Sequence, residues 1–214
     1  MGLIDETNFL ARWPLPRVLW NRIRYPVFSA RAVPVKIRQL ETERLLLREF
    51  CQEDIHAVAA WEVSHDGQPQ TEIHAQKFLD FCFYEYAKGG MGPWAILLRA
   101  NGHLVGNCGF PHMNYGQKIG EINYFVARQY RGRGFATEAL TALLKFGFEA
   151  LQLSRIQGRC LPENTSSERV MRKAGMEFEK MIRPTPSQGN AACKDHDYEK
   201  LFVITPKAFA GRAR

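Results

Sequence analysis

Apolar and polar residues follow two different periods along the chain after about residue 42. Short runs that are continuously apolar, or that alternate with polar residues between turn signals, predict strands. These runs lie at 44–50, 93–99, 103–110, 119–127, 155–160, 177–183 and 198–205. Apolar residues at helical spacing predict helices at 55–63, between Thr71 and Gly89-Gly90, at about 135–151, and at 165–174. The order of these elements predicts one α+β domain.

Two local motifs sharpen this prediction. Asn101-Gly102 lies between two apolar runs, and an Asn-Gly pair in that position is a strong signal for a β-hairpin. Thr165 and Glu168 have the spacing of a capping box, in which two side chains bond the free amides at the start of a helix. Gly175 is the residue type that commonly ends such a helix. A helix that begins at Thr165 and stops at Gly175 is therefore expected.

Residues 1–40 form a leader that differs from the rest of the chain. The leader holds seven basic and two acidic residues, whereas the remaining 22 basic and 20 acidic residues nearly balance. Its apolar content is too high for a plain disordered tail. One interpretation is a short helix at about 17–24 and an extended arm, packed on the domain or on a second subunit of a homodimer. The other is a basic amphipathic anchor that contacts anionic lipid or ribosomal RNA.

Composition excludes several classes of protein. Hydrophobic residues make up 45% and charged residues 24% of the chain, which is ordinary for a globular protein. No apolar run reaches the roughly 18 residues that a membrane span needs. The five cysteines are scattered without a CxxC pair, and the histidines show no HxxxH or HxH spacing. We therefore expect a cytoplasmic protein with reduced thiols and no metal. The near-neutral body gives no reason to expect DNA binding.

The segment from Arg128 to Ala136 carries the clearest chemical signal. Its sequence is RQYRGRGFA, a glycine-containing turn that leads directly into a long predicted helix. Glycines let a ligand approach the backbone closely, and the first N–H groups of a helix attract anions. The three arginines add positive charge around the turn. A pyrophosphate is its natural occupant, although neither GxGxxG nor GxxxxGK[ST] is present.

Arg131-x-x-Gly134-x-Ala136 resembles the acyl-coenzyme A signature of the GNAT superfamily of N-acetyltransferases. The strand 120–126, the helix start 135–139 and the segments 162–167 and 173–176 also resemble this superfamily. The last three are closest to the branch that acetylates the N-termini of ribosomal proteins. The resemblance covers about 41–205, which we take as the domain, followed by a short basic tail at 206–214. It implies a twisted, mixed but mostly antiparallel sheet of about seven strands, flanked by about four helices and preceded by an N-terminal arm.

The resemblance also implies a site for acetyl-CoA, the acyl donor. The pantetheine arm would bind the exposed strand backbone around Phe125 and Val126. The pyrophosphate would bind the backbone amides of Arg131, Gly132, Arg133, Gly134, Phe135 and Ala136. Asn164 would hydrogen-bond the pantetheine, cap a helix, or do both. Arg172 and Lys173 would either meet the 3′-phosphate or be solvated helix charges.

Catalysis in this superfamily is direct attack of a neutral amine on the thioester. Glu121, on the strand beside the thioester, is our candidate base acting through water, with Glu138 as second choice. Ser167 is the candidate hydrogen-bond donor to the departing sulfur, because Met171 occupies the position where many members carry a tyrosine acid. A backbone N–H near Val126 would hold the oxyanion. Covalent catalysis through Cys108 or Cys160 is not expected, since neither has a cationic partner in the sequence.

The acceptor amine is the least determined part of the site. An α-amine with a pKa of about 8 needs less help from a base than a lysine does, which favours a protein or peptide N-terminus. A small amine (drug, polyamine or amino acid) and a catalytically silent acyl-CoA-binding module are the alternatives. The early helices and the 184–195 loop are expected to frame the acceptor. Candidate residues are Phe78, Phe81, Phe83, Tyr84, Tyr86, Trp94, His65, Asp66 and His74.

Overall fold

The computed structural model describes residues 39–61, 71–88, 90–183 and 198–211. Within these ranges the strands are β1 Gln39–Glu41, β2 Leu45–Glu49, β3 Trp94–Leu98, β4 Leu104–Asn114, β5 Ile119–Val126, β6 Arg155–Cys160, β7 Glu177–Ile182 and β8 Glu199–Ile204. The α-helices are α1 Ile55–Ala59, α2 Glu72–Ala87, α3 Phe135–Glu149, α4 Thr165–Ala174 and α5 Pro206–Ala210. Short 3-10 turns cover Gln52–Asp54 and Arg128–Tyr130.

All eight strands join one sheet in the order β1-β2-β3-β4-β5-β6-β8-β7. Only β5 and β6 run parallel; the other neighbours among the described strands are antiparallel. The predicted α+β class and the mixed, mostly antiparallel sheet are confirmed. The described sheet has one strand beyond the seven that the pattern predicts, because the three-residue β1 is too short to show a period.

Helices cover both faces of the sheet and divide its core in two. One cluster packs α3 and α4 against the sheet through Phe110, Ile122, Leu140, Leu144, Ile156, Met171 and Phe202. The other packs α1 and α2 through Phe50, Val58, Trp61, Phe78, Leu79 and Leu97. Each fully buried leucine or isoleucine contributes roughly 1.5–3 kcal/mol relative to an exposed one, so these clusters fix the faces of the sheet.

The central strand β4 carries a bulge, and further along the sheet β5 and β6 pair over only part of their length. The β4–β5 register shifts between Gly109 and His112, so Phe110 and Pro111 together face one position of β5. A bulge bends its strand and increases the local twist, and it suits a proline, which has no amide to donate. The β5–β6 pairing begins at Ile119 and ends at Glu121 opposite Gln157. Beyond that pair the two strands diverge.

We call the resulting gap the wedge. Its walls are Ile122–Val126 of β5 and Gly158–Cys160 of β6, which no longer pair with each other. The 3-10 turn and α3 follow the β5 wall in sequence, and α4 follows the β6 wall. The chain therefore brings two helix N-termini to one break in the sheet.

Two features of the helices differ from the sequence prediction. The capping box predicted for Thr165 and Glu168 is wrong, because Glu168 pairs with Arg172 and Lys200 instead. The helix cap predicted at Asn164 is confirmed, and its side chain accepts from the Ser167 amide. Residues 206–210 of the expected tail form the short helix α5. No helix in the described ranges is long and apolar enough to cross a membrane. The predicted 17–24 helix, His65, Asp66 and the 184–195 loop lie outside the described residues.

Candidate functional site

The glycine turn, residues 131–136, leaves most of its backbone amides without an acceptor among the described residues. Gly132 and Gly134 have φ of 78° and 83°, left-handed values that favour glycine, and Gly134 is the N-cap of α3. The first backbone bond of the helix runs from the Glu138 amide to the Gly134 carbonyl. Among the described residues, no acceptor is found for the amides of residues 132–137. These amides and the positive end of α3 form an anion-binding surface.

Side chains on the glycine turn have varied environments. Arg131 donates from Nε to the Val126 carbonyl at 2.8 Å, with its guanidinium 5.8 Å from the centre of the Phe125 ring. Arg133 lies over the Tyr130 ring. Phe135 is buried against the core, whereas Ala136 is half-buried. The fold thus brings all six predicted residues of the turn together, with Arg131 tied to the end of β5.

Arg44, which sequence reasoning missed, braces the turn from the start of β2. Its guanidinium donates to the Arg133 carbonyl at 3.1 Å and stacks over the Phe135 ring at 4.9 Å. It also binds the Glu138 carboxylate at 2.7 Å. Arg44 and Arg133 are 89 residues apart in the sequence, so no local pattern connects them.

Both carboxylate oxygens of Glu138 accept hydrogen bonds in this bracing contact. One carboxylate oxygen accepts from the Thr42 hydroxyl and the Arg44 amide, and the other accepts from the Arg44 side chain. Partial burial opposes its ionisation, but these hydrogen bonds dominate and hold the pKa of Glu138 below its ordinary value. A carboxylate with both oxygens occupied is a poor proton acceptor, so the second-choice base has a bracing role.

Backbone groups of β5 face the wedge. The Ala127 amide bonds to Val105 of β4. Because polar groups alternate sides along an antiparallel ladder, those of Val126 and Tyr124 point away from β4, towards the wedge. The backbone of Phe125 faces β4, and its ring packs 5.2 Å from Trp61. A side chain at Gly106 would clash with the Phe125 carbonyl oxygen, so glycine is required for this close pairing.

Glu121 lies where the wedge begins. It is 5% exposed, and its Oε2 accepts from Arg159 at 3.0 Å and from Gln157 at 3.2 Å. The described residues provide no partner for its other oxygen, Oε1. A buried carboxylate is tolerated when it is paired, and Arg159 supplies that compensation. Gln157 and Arg159 were not predicted, since only the strand register places them beside Glu121.

A second buried carboxylate, Glu199, belongs to the same face of the sheet. Leu201 is paired with Arg159, so alternation places Glu199, two residues earlier, on the face of Arg159 and Glu121. Glu199 is also 5% exposed. Sequence reasoning missed it because a glutamate at the start of a strand is usually solvated.

The N-terminus of α4 forms the other side of the wedge. Asn164 Oδ1 accepts from the Ser167 amide at 3.0 Å, which makes Asn164 the helix cap. The hydroxyl of Tyr124 lies 2.8 Å from Ser167 Oγ and 3.0 Å from the Ser167 carbonyl oxygen. Met171 is fully buried in the core, and its sulfur would lie 2.9 Å from a Cβ at Gly158. No acid can act from position 171.

Several other predicted site residues are paired, buried or stacked against neighbouring side chains. Arg172 pairs with Glu168 at 2.8 Å and stacks over Phe202. Complete burial raises the pKa of the Cys108 thiol, which removes any reactive thiolate. The hydroxyl of Tyr86 bonds the Pro93 carbonyl and the Phe50 amide within the core. Phe78 and Trp94 are also core residues, whereas Tyr84 is exposed and lies beneath Lys88.

Trp61, which the sequence did not indicate, packs with the early helices α1 and α2 that were expected to frame the acceptor. Trp61 is buried among Phe50, Phe78 and Phe125, at the edge of the described residues. The described residues provide no hydrogen-bond partner for its Nε1. Of the predicted polar candidates, His74 is half-buried in the first turn of α2. The described part of the chain includes no group of three or more His, Cys, Asp or Glu that could hold a metal.

The profile of the acetyltransferase (GNAT) domain matches residues 44–177. The chain therefore belongs to the GNAT family of acetyltransferases, and it is an N-acetyltransferase. The resemblance seen in the sequence motifs is confirmed.

Individual relatives agree with this assignment. YnaD, named as an uncharacterized N-acetyltransferase of Bacillus subtilis, is 31% identical over 166 residues, covering 76% of this chain and 96% of the relative. RimJ of Mycobacterium smegmatis, solved in complex with CoA-disulfide, is 25% identical with a TM-score of 0.59, covering 79% and 90%. A Vibrio cholerae structure, provisionally named a ribosomal-protein-serine acetyltransferase, is 22% identical with a TM-score of 0.66, covering 78% and 97%. The last likeness concerns the fold alone.

Proposed function

We propose that this protein transfers an acetyl group from acetyl-CoA directly to a primary amine, with a protein or peptide N-terminus as the acceptor class. The observation that carries the proposal is the wedge, which joins the unbonded amides of the glycine turn at one end to the buried Glu121 carboxylate at the other. A thioester carrier has its phosphates at one end and its reactive carbonyl at the other, which suits such an arrangement. A cytoplasmic location is part of the proposal.

The geometry supports the following groups for binding the donor. The amides of residues 132–137 would bind the pyrophosphate, and the Tyr124 backbone and the Val126 carbonyl would bond the pantetheine as an added strand, beside Phe125. Asn164 keeps its side-chain amide nitrogen for the pantetheine, since capping uses only its oxygen. The arginine side chains around the turn would oppose the negative charge of the donor phosphates.

The chemical roles are assigned to groups along the walls of the wedge. The amine loses a proton to Glu121 Oε1 through water, and its lone pair attacks the thioester carbon. The Val126 amide stabilises the oxyanion. Ser167 donates a hydrogen bond to sulfur as the C–S bond breaks. The Glu121 carboxylate is already balanced by Arg159, which disfavours a polycationic amine relative to a singly charged peptide N-terminus.

The test measures acetyl transfer by mass spectrometry and thiol release. Acceptors are peptides with a free N-terminus, the same peptides with a blocked N-terminus, spermidine and single amino acids. We expect turnover on the free peptides that is lost on blocking. Turnover on spermidine or amino acids alone would assign the small-amine alternative. Donor binding without turnover on any acceptor would indicate a silent module.

Glu121→Gln tests the proposed base, and Glu199→Gln tests the other buried carboxylate on the same face of the sheet. Removal of a general base typically lowers the rate by about 10²–10⁴-fold, and we expect kcat/KM to fall in that range for Glu121→Gln with acetyl-CoA binding retained. Glu149→Gln, at the exposed end of α3, controls for the loss of one charge. A large loss in Glu199→Gln with Glu121→Gln fully active would transfer the role to Glu199.

A further inference from the structure

The side chain of Tyr124 lies in the wedge but has no role in the proposed function. Its position on the β5 wall of the wedge points its side chain towards α4, and its hydroxyl contacts both the Oγ and the carbonyl of Ser167. This contact links β5 to the first turn of α4 across the break in the sheet. Position 171, which could otherwise supply an acidic hydroxyl, is a buried methionine.

The hydrogen-bond geometry restricts where the Ser167 proton can point. A carbonyl oxygen only accepts, and each of the two hydroxyls has one proton. If Tyr124 donates to the Ser167 carbonyl, Ser167 can donate back to Tyr124. If Tyr124 donates to Ser167 Oγ, the Ser167 proton is left for a third acceptor. A sulfur in the wedge that carries growing negative charge favours the second arrangement.

The Tyr124 hydroxyl remains a hydrogen-bond donor throughout the physiological pH range. Burial raises its pKa to about 12, although the hydrogen bond with Ser167 opposes the shift. Without such a partner, a serine in the first turn of a helix rotates and bonds nearby backbone groups. The Asn164 cap fixes the Ser167 backbone, and Tyr124 fixes its hydroxyl.

We propose that Tyr124 is a positioning residue for departure of the thiol: it donates to Ser167 Oγ and thereby directs the Ser167 O–H at the thioester sulfur. The inference rests on the proposed function. In the overall step the ammonium loses one proton to Glu121 through water, the neutral amine forms the C–N bond and releases a second proton to solvent, and the C–S bond breaks with its electron pair on sulfur. Sulfur accepts the Ser167 hydrogen bond and takes up one proton from solvent, so ammonium and thioester give amide, thiol and one free proton.

The first experiment compares Tyr124→Phe with Tyr86→Phe in the full chain. Both substitutions remove one buried hydroxyl that bonds the backbone, but Tyr86 lies in the α2 core. We expect Tyr124→Phe to lower kcat by about tenfold, with the KM for acetyl-CoA changed by less than about twofold. Tyr86→Phe should lower the melting temperature without a comparable loss of kcat. Equal kcat in the two variants would overturn the proposal.

A double-mutant cycle separates positioning from mere packing. If Tyr124 acts through Ser167, adding Tyr124→Phe to Ser167→Ala costs no further activity. Multiplied losses would overturn the proposal. Full activity of Ser167→Ala would also overturn it, while acetyl transfer by the wild type would leave the proposed function standing. Absence of wild-type turnover on every acceptor is the separate failure of the proposed function.

Site-specific difluorotyrosine at position 124 keeps the inference testable if Tyr124→Phe does not fold. Fluorination lowers the phenol pKa and preserves the ring. We expect kcat to gain a falling limb at high pH, because the ionised phenol can no longer donate to Ser167. A kcat profile that matches the wild type would overturn the proposal.

Discussion

Gly132→Asp should weaken acetyl-CoA binding far more than an equally strained substitution elsewhere. Gly132 has φ of 78°, and no atom lies within 4 Å of the point where a Cβ would be, so an aspartate fits but is strained. Gly102, in the β3–β4 hairpin, has φ of 71° and is equally unobstructed. The left-handed conformation costs each variant about 1–2 kcal/mol at most. Gly102→Asp is therefore a matched control for strain and for charge.

The two variants differ in the electrostatic field that the donor phosphates would meet. Only Gly132→Asp adds a negative charge in the glycine turn. Two unit charges about 6 Å apart at an effective dielectric constant of about 20 interact by about 3 kcal/mol. One added carboxylate beside a pyrophosphate thus predicts roughly a 100-fold increase in Kd. Salt should reduce the effect, because the turn is exposed.

Isothermal titration of both purified variants with acetyl-CoA measures this difference. We expect similar falls in melting temperature for Gly132→Asp and Gly102→Asp, with wild-type Kd for the latter only. If Gly132→Asp binds acetyl-CoA as tightly as Gly102→Asp does, the glycine turn does not hold the phosphates, and the assignment of the wedge fails with it.

Two further predictions concern the scaffold. Arg44→Gln removes the contact with the Arg133 carbonyl and leaves Glu138 without its cation, so we expect a raised KM for acetyl-CoA with kcat nearly unchanged in steady-state assays; a lower kcat at unchanged KM would contradict this role. Asp54 is buried, which opposes ionisation, but bonds from Arg48 and the Cys51 amide hold its pKa below the ordinary value. Its stabilising contribution is therefore present above the unfolded pKa of about 3.9 and lost as the pH falls through the folded pKa. Chemical denaturation should show that acid-side loss in wild type and less of it in Asp54→Asn; identical pH dependences would contradict the prediction.

Local chemistry determined what could be predicted from sequence. The Asn101-Gly102 hairpin and the glycine turn before α3 depend on residues within a few positions of each other, and both are present. The sequence offered both Asn164 and Thr165 as caps of α4, because both residue types cap helices well, and only the backbone of the folded loop selects Asn164.

Long-range contacts account for the rest. Arg159 reaches Glu121 because β5 and β6 run parallel in one particular register, and a shift of one residue would turn its side chain to the other face. The Tyr124–Ser167 contact joins elements 43 residues apart. Neither relation leaves a periodic trace in the sequence, so the residues of the site were easier to predict than their partners.

The short β5–β6 junction has a mechanical consequence. Three residue pairs make up the strand pairing between the β1–β5 part of the sheet and the β6–β8–β7 part, which bears α4. A ligand lying in the break would supply the backbone bonds that the strands lack and join the two parts into a single cooperative unit. Slowed amide exchange on β8 and β7, which do not border the wedge, would be the sign of that coupling.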